Sequence, residues 1–237
     1  MNLVTLFESD FLKNKKDHVH INGRRHHHIK EIHRVSVGDE LKVGLINGKI
    51  GVGRVTELND TDLEMDIHLS ENPPEPLPLT LILALPRPIV LQRVIQTVTA
   101  MGIKNIFLIH SSRVEKSYWH SPVLSEEKLT KNCILGLEQA RDTIMPQVHL
   151  RQKFKPFLED EVPGLIGNSL PVVAHPEGTQ PCPSAVNTAV TLAIGPEGGF
   201  IDYEIEKFRS LGFQIAHLGP RILKVETAIA MLVSKLF

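Results

Sequence analysis

From Glu40 to Leu58 the chain reads "ELKVGLINGKIGVGRVTEL", with apolar and polar residues alternating on either side of Asn47-Gly48. A period of two places one face of a strand on a core and the other in water, and Asn-Gly readily supplies the positive φ of a tight hairpin turn. Residues 1–72 therefore read as a small antiparallel barrel. In "NPPEPLP", Pro73, Pro74, Pro76 and Pro78 then form a stiff extended linker. Beyond it the pattern changes to strand–helix alternation. "LTLILAL" (Leu79–Leu85), "NIFLIH", "LPVVA", "VTLAI" and "QIAHL" read as short strands. The periodicity of Ile89–Met101, ending at Gly102, predicts a helix, as does that of Glu126–Gln139, "DYEIEKFRSLG" and "ETAIAMLVSKL". Such alternation over 78–237 predicts an α/β domain with a mostly parallel sheet covered on both faces.

The chain has 237 residues, 42% apolar and 22% charged, which suits one large or two small globular domains. A start of "MNLVTLFESDF" lacks the basic-then-apolar order of a signal peptide, and no apolar run reaches the roughly 18 residues of a membrane span. Cys133 and Cys182 are isolated, as in a reducing, cytoplasmic setting. The net charge of −1 means that any nucleic-acid surface is local.

One such surface is suggested between Lys13 and Arg34, where seven Lys/Arg, two acids and six of the twelve histidines fall. Basic residues supply a sequence-independent attraction to phosphates, so Arg24, Arg25, His26 and Arg34 are candidate RNA contacts. A solvated basic face is the alternative. Consecutive His26-His27-His28 do not make a metal site, because adjacent side chains diverge and no Cys or acid cluster at ligand spacing accompanies them.

Three predicted strands end in unusual turns: "VVAHPEG" (Val172–Gly178), "LAIGPEGG" (Leu192–Gly199) and "AHLGPRILKVETA" (Ala216–Ala228). Loops at the carboxyl ends of parallel strands form the ligand crevice. The middle one matches neither a Walker loop nor a G-x-G-x-x-G fingerprint, and Glu197 would repel a pyrophosphate. Rigid Gly/Pro turns expose backbone groups that can bond an adenine edge and a ribose without adding charge. Three ordinary tight turns are the alternative.

"HPEG", "IGPEGGF" and "LGPRILKVETA", in this order and spacing, resemble the ribosomal RNA small subunit methyltransferase E family of the SPOUT class. Weaker similarity covers most of the chain, including "HHHIKEIHRVSVGDEL", "LALPR" and "EQARDTIMP". The resemblance implies a PUA-like RNA-binding barrel, then a SPOUT domain whose end is threaded as a trefoil knot. It also implies S-adenosylmethionine as cofactor, a homodimer, and methylation of uridine N3 in 16S rRNA near the decoding centre. Cofactor-binding residues would come from all three loops: Ala174, His175 and Pro176; Ile194, Gly195, Glu197, Gly198 and Gly199; and Leu218, Gly219, Ile222, Leu223 and Thr227. Leu218, Ile222 and Leu223 would wall the adenine.

The family pattern is relaxed at Thr97, Ala100 and Ser112, at Ile222-Leu223-Lys224, and at Ile201, where Asp202 is left to cap the next helix. Uridine N3 must lose a proton before it attacks a methyl sulfonium, so the site needs an anion stabiliser or a base. Arg221, with its permanent charge and planar donors, suits the first role, and Glu226 is the candidate base. Arg87 and Arg113 are further RNA candidates. Two other functions stay open: a SPOUT enzyme acting on another position such as a ribose 2′-hydroxyl, and a non-catalytic assembly factor that keeps the pocket as a ligand sensor.

Overall fold

The computed structural model describes residues 2–12, 15 and 17–237; Lys13 and Lys16 of the basic run lie outside the described residues. The chain divides into two compact units, Met1–Glu75 with Cys133–Met145, and Pro76–Asn132 with Pro146–Phe237.

In the first unit, β1 (Val4–Leu6), β2 (His18–Asn22), β3 (Glu40–Leu45), β4 (Ile50–Leu58) and β5 (Asp62–Glu71) form a curled sheet in the order β1-β3-β4-β5-β2. The β3–β4 hairpin turns at Asn47, whose φ is 58°, as the Asn-Gly signal predicts. The sheet is mixed rather than antiparallel, because β1 pairs parallel with β3. A parallel pair needs a long crossover, and β2 and α1 (Gly23–His28), which continues as a π-helical turn (Ile29–His33), lie between the two strands. Leu63, Met65 and Ile67 alternate on the buried face of β5 and meet Val19, Ile21, Ile29, Val43 and Val55. Each such side chain contributes about 1.5–3 kcal/mol of burial.

The second unit has β6 (Leu77–Ala84), α2 (Pro88–Ala100), β7 (Ile103–Ile109), the start of α3 (Glu126–Ala140) and β8 (Gln147–Arg151). It continues with α4 (Phe154–Pro156), α5 (Val162–Ile166), β9 (Leu170–Ala174), β10 (Gln180–Pro181) and β11 (Val190–Ile194). Last come α6 (Asp202–Ser210), β12 (Gln214–His217) and α7 (Val225–Leu236). Seven strands pair in the order β10-β12-β9-β11-β6-β7-β8, every pair parallel. All five residues of β11 are buried, as a strand covered on both faces requires.

Pro78 belongs to β6 and not to the linker: it sits where the β6–β7 register shifts between Leu77 and Thr80, an irregularity that tolerates a missing N–H. β8, β10 and the helical turns over 154–166 carry too little periodicity to be read from sequence. Helix α6 begins after Ile201, so Asp202 is its first residue and not its cap. Ile201 has no side-chain acceptor. The cap is made in the other direction: its N–H donates to Glu204 Oε2 at 3.0 Å, half of a capping box.

The carboxyl end of the domain is threaded. β12 lies between β9 and β10, which are consecutive in sequence. Ala216 pairs with both Ala174 of β9 and Gln180 of β10. The chain from 175 to 179 therefore crosses the face of β12 at the level of Ala216. A Cβ on Gly178 would lie 2.7 Å from Ala216 C and 2.9 Å from His217 N, so the crossing depends on a residue without a side chain. Further along, Ala185 N and Val186 N donate to Lys235 O and Leu236 O, tying the β10–β11 connection to the end of α7.

Candidate active site

The carboxyl ends of β9, β11 and β12 and the first turn of α7 enclose an open cleft of about 640 Å³, including the solvent in its mouth. Ala174, Ile194, Ala216, Leu218, Ile222, Leu223, Val225 and Ala228 give it apolar walls. Glu197 is the single acid and Arg221 the single fixed cation lining it among the described residues.

The loop from Gly195 to Phe200 closes on itself. Gly199 N donates to Pro196 O at 2.8 Å, and Gly199 has a φ of 75°. A Cβ on Gly195 would meet Phe200 N at 3.0 Å. Both ends are anchored. Phe200 is buried, its ring 5.1 Å from that of Phe208, and the fully buried Glu204 accepts from Ser112 N at 2.6 Å as well as from Ile201 N. On the outer side, Arg113 Nη1 donates to Gly198 O.

His175 joins two of the loops. Its Nδ1 accepts from Glu177 N at 3.2 Å, so the proton sits on Nε2, which donates to Phe200 O at 3.3 Å. In the third loop Gly219, with a φ of 109°, donates its N–H to His217 Nδ1 at 3.0 Å. The backbone turn that presents Leu218 thus needs glycine at its next position.

Most residues expected to hold the cofactor line this cleft: Ala174, His175, Pro176, Ile194, Gly195, Glu197, Gly199, Leu218, Gly219, Ile222 and Leu223, together with Arg221. Gly198, Thr227 and Glu226 do not. Gly198 turns outward to Arg113. On α7 it is Val225 and Ala228, three residues apart, that face the cleft, so Glu226 and Thr227 between them project from its flanks. Glu226 therefore stands beside the cleft and does not line it. Pro196, Ala216, Val225 and Ala228 also line the cleft and escaped the sequence reading. The apolar stripe Val225, Ile229, Leu232, Val233 and Leu236 was the signal that could have oriented the helix.

Arg24, Arg25 and His26, expected at RNA, all make contacts inside the first unit, and Arg24 stays 43% exposed while doing so. Arg25 lies beside Asp10, with pairs at 2.5 and 2.8 Å and side chains only 13% and 8% exposed. Arg24 makes a bidentate pair with Glu138, which also accepts from Thr5 Oγ1. His26 is buried, with Nε2 3.1 Å from Asn59 O. These three groups hold the unit together, whereas Arg34, exposed at a φ of 54°, makes no ion pair among the described residues. Arg87, the N-cap of α2, is exposed, and its N–H lies 3.4 Å from Glu197 Oε1. No group of three or more His, Cys, Asp or Glu among the described residues could hold a metal.

A fully parallel sheet, a threaded carboxyl end and a cleft built from the threaded loops define a protein of the SPOUT methyltransferase class, and a family model for an RNA methyltransferase domain matches residues 73–236. The structure of a ribosomal RNA small subunit methyltransferase E from Neisseria gonorrhoeae bound to S-adenosyl methionine superposes with a TM-score of 0.76 at 20% identity, covering 99% of this chain and 95% of that one. Over 234 residues the chain is 30% identical to the ribosomal RNA small subunit methyltransferase E of Treponema pallidum, covering 96% of this chain and 87% of the relative. A Borreliella burgdorferi protein named ribosomal RNA small subunit methyltransferase E 1 is 23% identical over 96% of this chain and 94% of its own length. The chain belongs to the ribosomal RNA small subunit methyltransferase E family.

Proposed function

We propose that the protein methylates N3 of a uridine in 16S rRNA near the decoding centre, using S-adenosylmethionine. It would act in the cytoplasm as a homodimer, with residues 1–72 contributing RNA contacts and residues 78–237 carrying catalysis. The observation that carries this reading is the cleft itself, lined by glycine, proline and apolar residues with Glu197 as its one carboxylate and Arg221 as its one fixed cation among the described residues.

That lining fits the donor. Neutral loop groups suit an adenine edge and ribose, the apolar walls suit a flat base, and Glu197 favours a cationic ligand over a polyphosphate. Gly195 and Gly199 leave room for backbone to approach, since a Cβ on Gly195 would already crowd Phe200. When bound, S-adenosylmethionine supplies an electrophilic methyl on a sulfonium. The remaining task belongs to the protein, and it is to make uridine N3 a nucleophile.

Arg221 is suited to that task. Its side chain is exposed at the cleft and makes no hydrogen bond or ion pair among the described residues, so its donors are free for a ligand. A guanidinium at O2 or O4 stabilises the charge that appears as N3 loses its proton, an interaction that strengthens toward the transition state. With Glu226 on the flank, Glu197 is the side-chain acceptor that the cleft offers for the proton. Arg34 and Arg87 remain as RNA-side cations.

Incubation of small ribosomal subunits from cells lacking the gene with the protein and methyl-labelled S-adenosylmethionine tests the reading. Label should enter 16S rRNA as 3-methyluridine, and with Arg221→Ala it should enter far more slowly. Label on a ribose 2′-hydroxyl would move the reaction to another position, and no label would favour a binding role.

A further inference from the structure

Gly198 is the one residue of the Gly195–Gly199 loop that does not line the cleft, yet it lies between residues that do, Glu197 and Gly199. Its carbonyl receives Arg113 Nη1. The Arg113 side chain also packs across it, with Cδ 3.1 Å from where a Gly198 Cβ would stand. Arg113 is itself held in place. The neighbouring Ser112 N–H is fixed at 2.6 Å by Glu204, whose other oxygen fixes Ile201 at the end of the same loop. One buried carboxylate therefore sets both the base of the Arg113 arm and the exit of the loop that the arm grips.

Two consecutive glycines are the backbone with most conformational freedom to lose on binding a ligand. A tether at Gly198 O restricts that freedom before the ligand arrives, and the loop is then preorganised at lower ordering cost. We propose that Arg113 is a positioning residue for the methyl donor, holding the Gly195–Gly199 loop in its binding shape through Gly198 O, with Glu204 holding Arg113. The inference rests on reading the cleft as the donor site. It assigns Arg113 to the donor side of the reaction and not to the RNA backbone.

Calorimetric titration of the full chain with S-adenosylmethionine, beside binding of a 16S rRNA fragment, tests this. Arg113→Ala should weaken donor binding roughly ten- to a hundred-fold, the scale of one charge-assisted hydrogen bond. The donor KM should rise by a similar factor while kcat falls less than about twofold, because only loop order is lost. Arg113→Lys, which can still reach one carbonyl, should recover most of the affinity. RNA affinity and melting temperature should stay at the parent values. Unchanged donor affinity with weakened RNA binding would overturn the proposal and return Arg113 to a phosphate contact. A fall in melting temperature that Lys does not rescue would overturn it as a folding defect. If the parent chain itself binds no S-adenosylmethionine, the reading of the cleft fails along with it.

Discussion

Gly178→Ala adds one methyl group at the crossing of the threaded segment over β12. Its Cβ would stand 2.7, 2.9 and 3.0 Å from Ala216 C, His217 N and Ala216 Cα, all of them backbone atoms. No rotamer can relieve such a contact, so strand and crossing must part by about half an ångström. β12 cannot yield freely, since it pairs with β9 on one side and β10 on the other, and His175 N and Cys182 N donate to Ala216 O and His217 O at 2.9 Å. Overpacking of this kind costs about 2–3 kcal/mol. For a domain of this size that lowers the melting temperature by roughly 5–10 °C. Ala216 and His175 line the cleft, so S-adenosylmethionine affinity should fall as well. Gly164→Ala is the control, because a Cβ there meets nothing within 4 Å and the residue is inside α5. It should be neutral or stabilising by up to about 1 kcal/mol. Scanning calorimetry of both variants decides the matter. A Gly178→Ala protein that melts within about 1 °C of the parent and binds donor equally well would refute the geometry of the crossing.

Three other outcomes follow from the same structure. Arg25→Ala strands the buried Asp10 carboxylate and should cost about 3–5 kcal/mol in the first unit; weakened RNA binding at an unchanged melting temperature would instead make Arg25 an RNA contact. His18, bonded to Glu64 at 2.8 Å and Asp66 at 2.6 Å, is held above its ordinary 6.5 by those two carboxylates. A raised folded value means the stabilisation is complete below about pH 6.5 and disappears as pH rises through the raised value. Melting curves should therefore show the first unit weakening toward alkaline pH, and His18→Gln should flatten that trend. Arg221→Ala should lower single-turnover methylation by roughly two to three orders of magnitude, the scale of losing one oxyanion donor; donor affinity and melting temperature should change little, and a variant that methylates at the parent rate would remove Arg221 from the chemistry.

The sequence was most informative where a local rule leaves a local mark. β9 and β11 begin and end where their apolar runs do, and Gly102, with a φ of 83°, stops α2 as a C-terminal glycine should. The three Gly/Pro turns drew attention to the cleft because glycine there answers a backbone need. What failed depends on partners distant in the chain. Nothing near Arg24 announces Glu138, 114 residues on, or near Arg25 its pair with Asp10, so cations that are tied to carboxylates read as a free surface. The parallel pairing of β1 with β3 is likewise invisible in either strand. That Glu226 and Thr227 do not line the cleft has another reason: a motif gives order along the chain, whereas cleft-facing positions depend on how α7 is rotated by its apolar stripe. Threading leaves no periodic trace and shows in the folded chain, where β12 lies between β9 and β10 and Gly178 crosses Ala216.

The central claim, that this cleft serves methylation of uridine N3 in 16S rRNA, is tested most directly in the cell. Nucleosides from 16S rRNA of cells with and without the gene would be compared by mass spectrometry, with an Arg221→Ala copy as a third sample. The account predicts that 3-methyluridine disappears without the gene, returns with the intact copy and does not return with Arg221→Ala. Loss of a different methylated nucleoside, or of none, would contradict it.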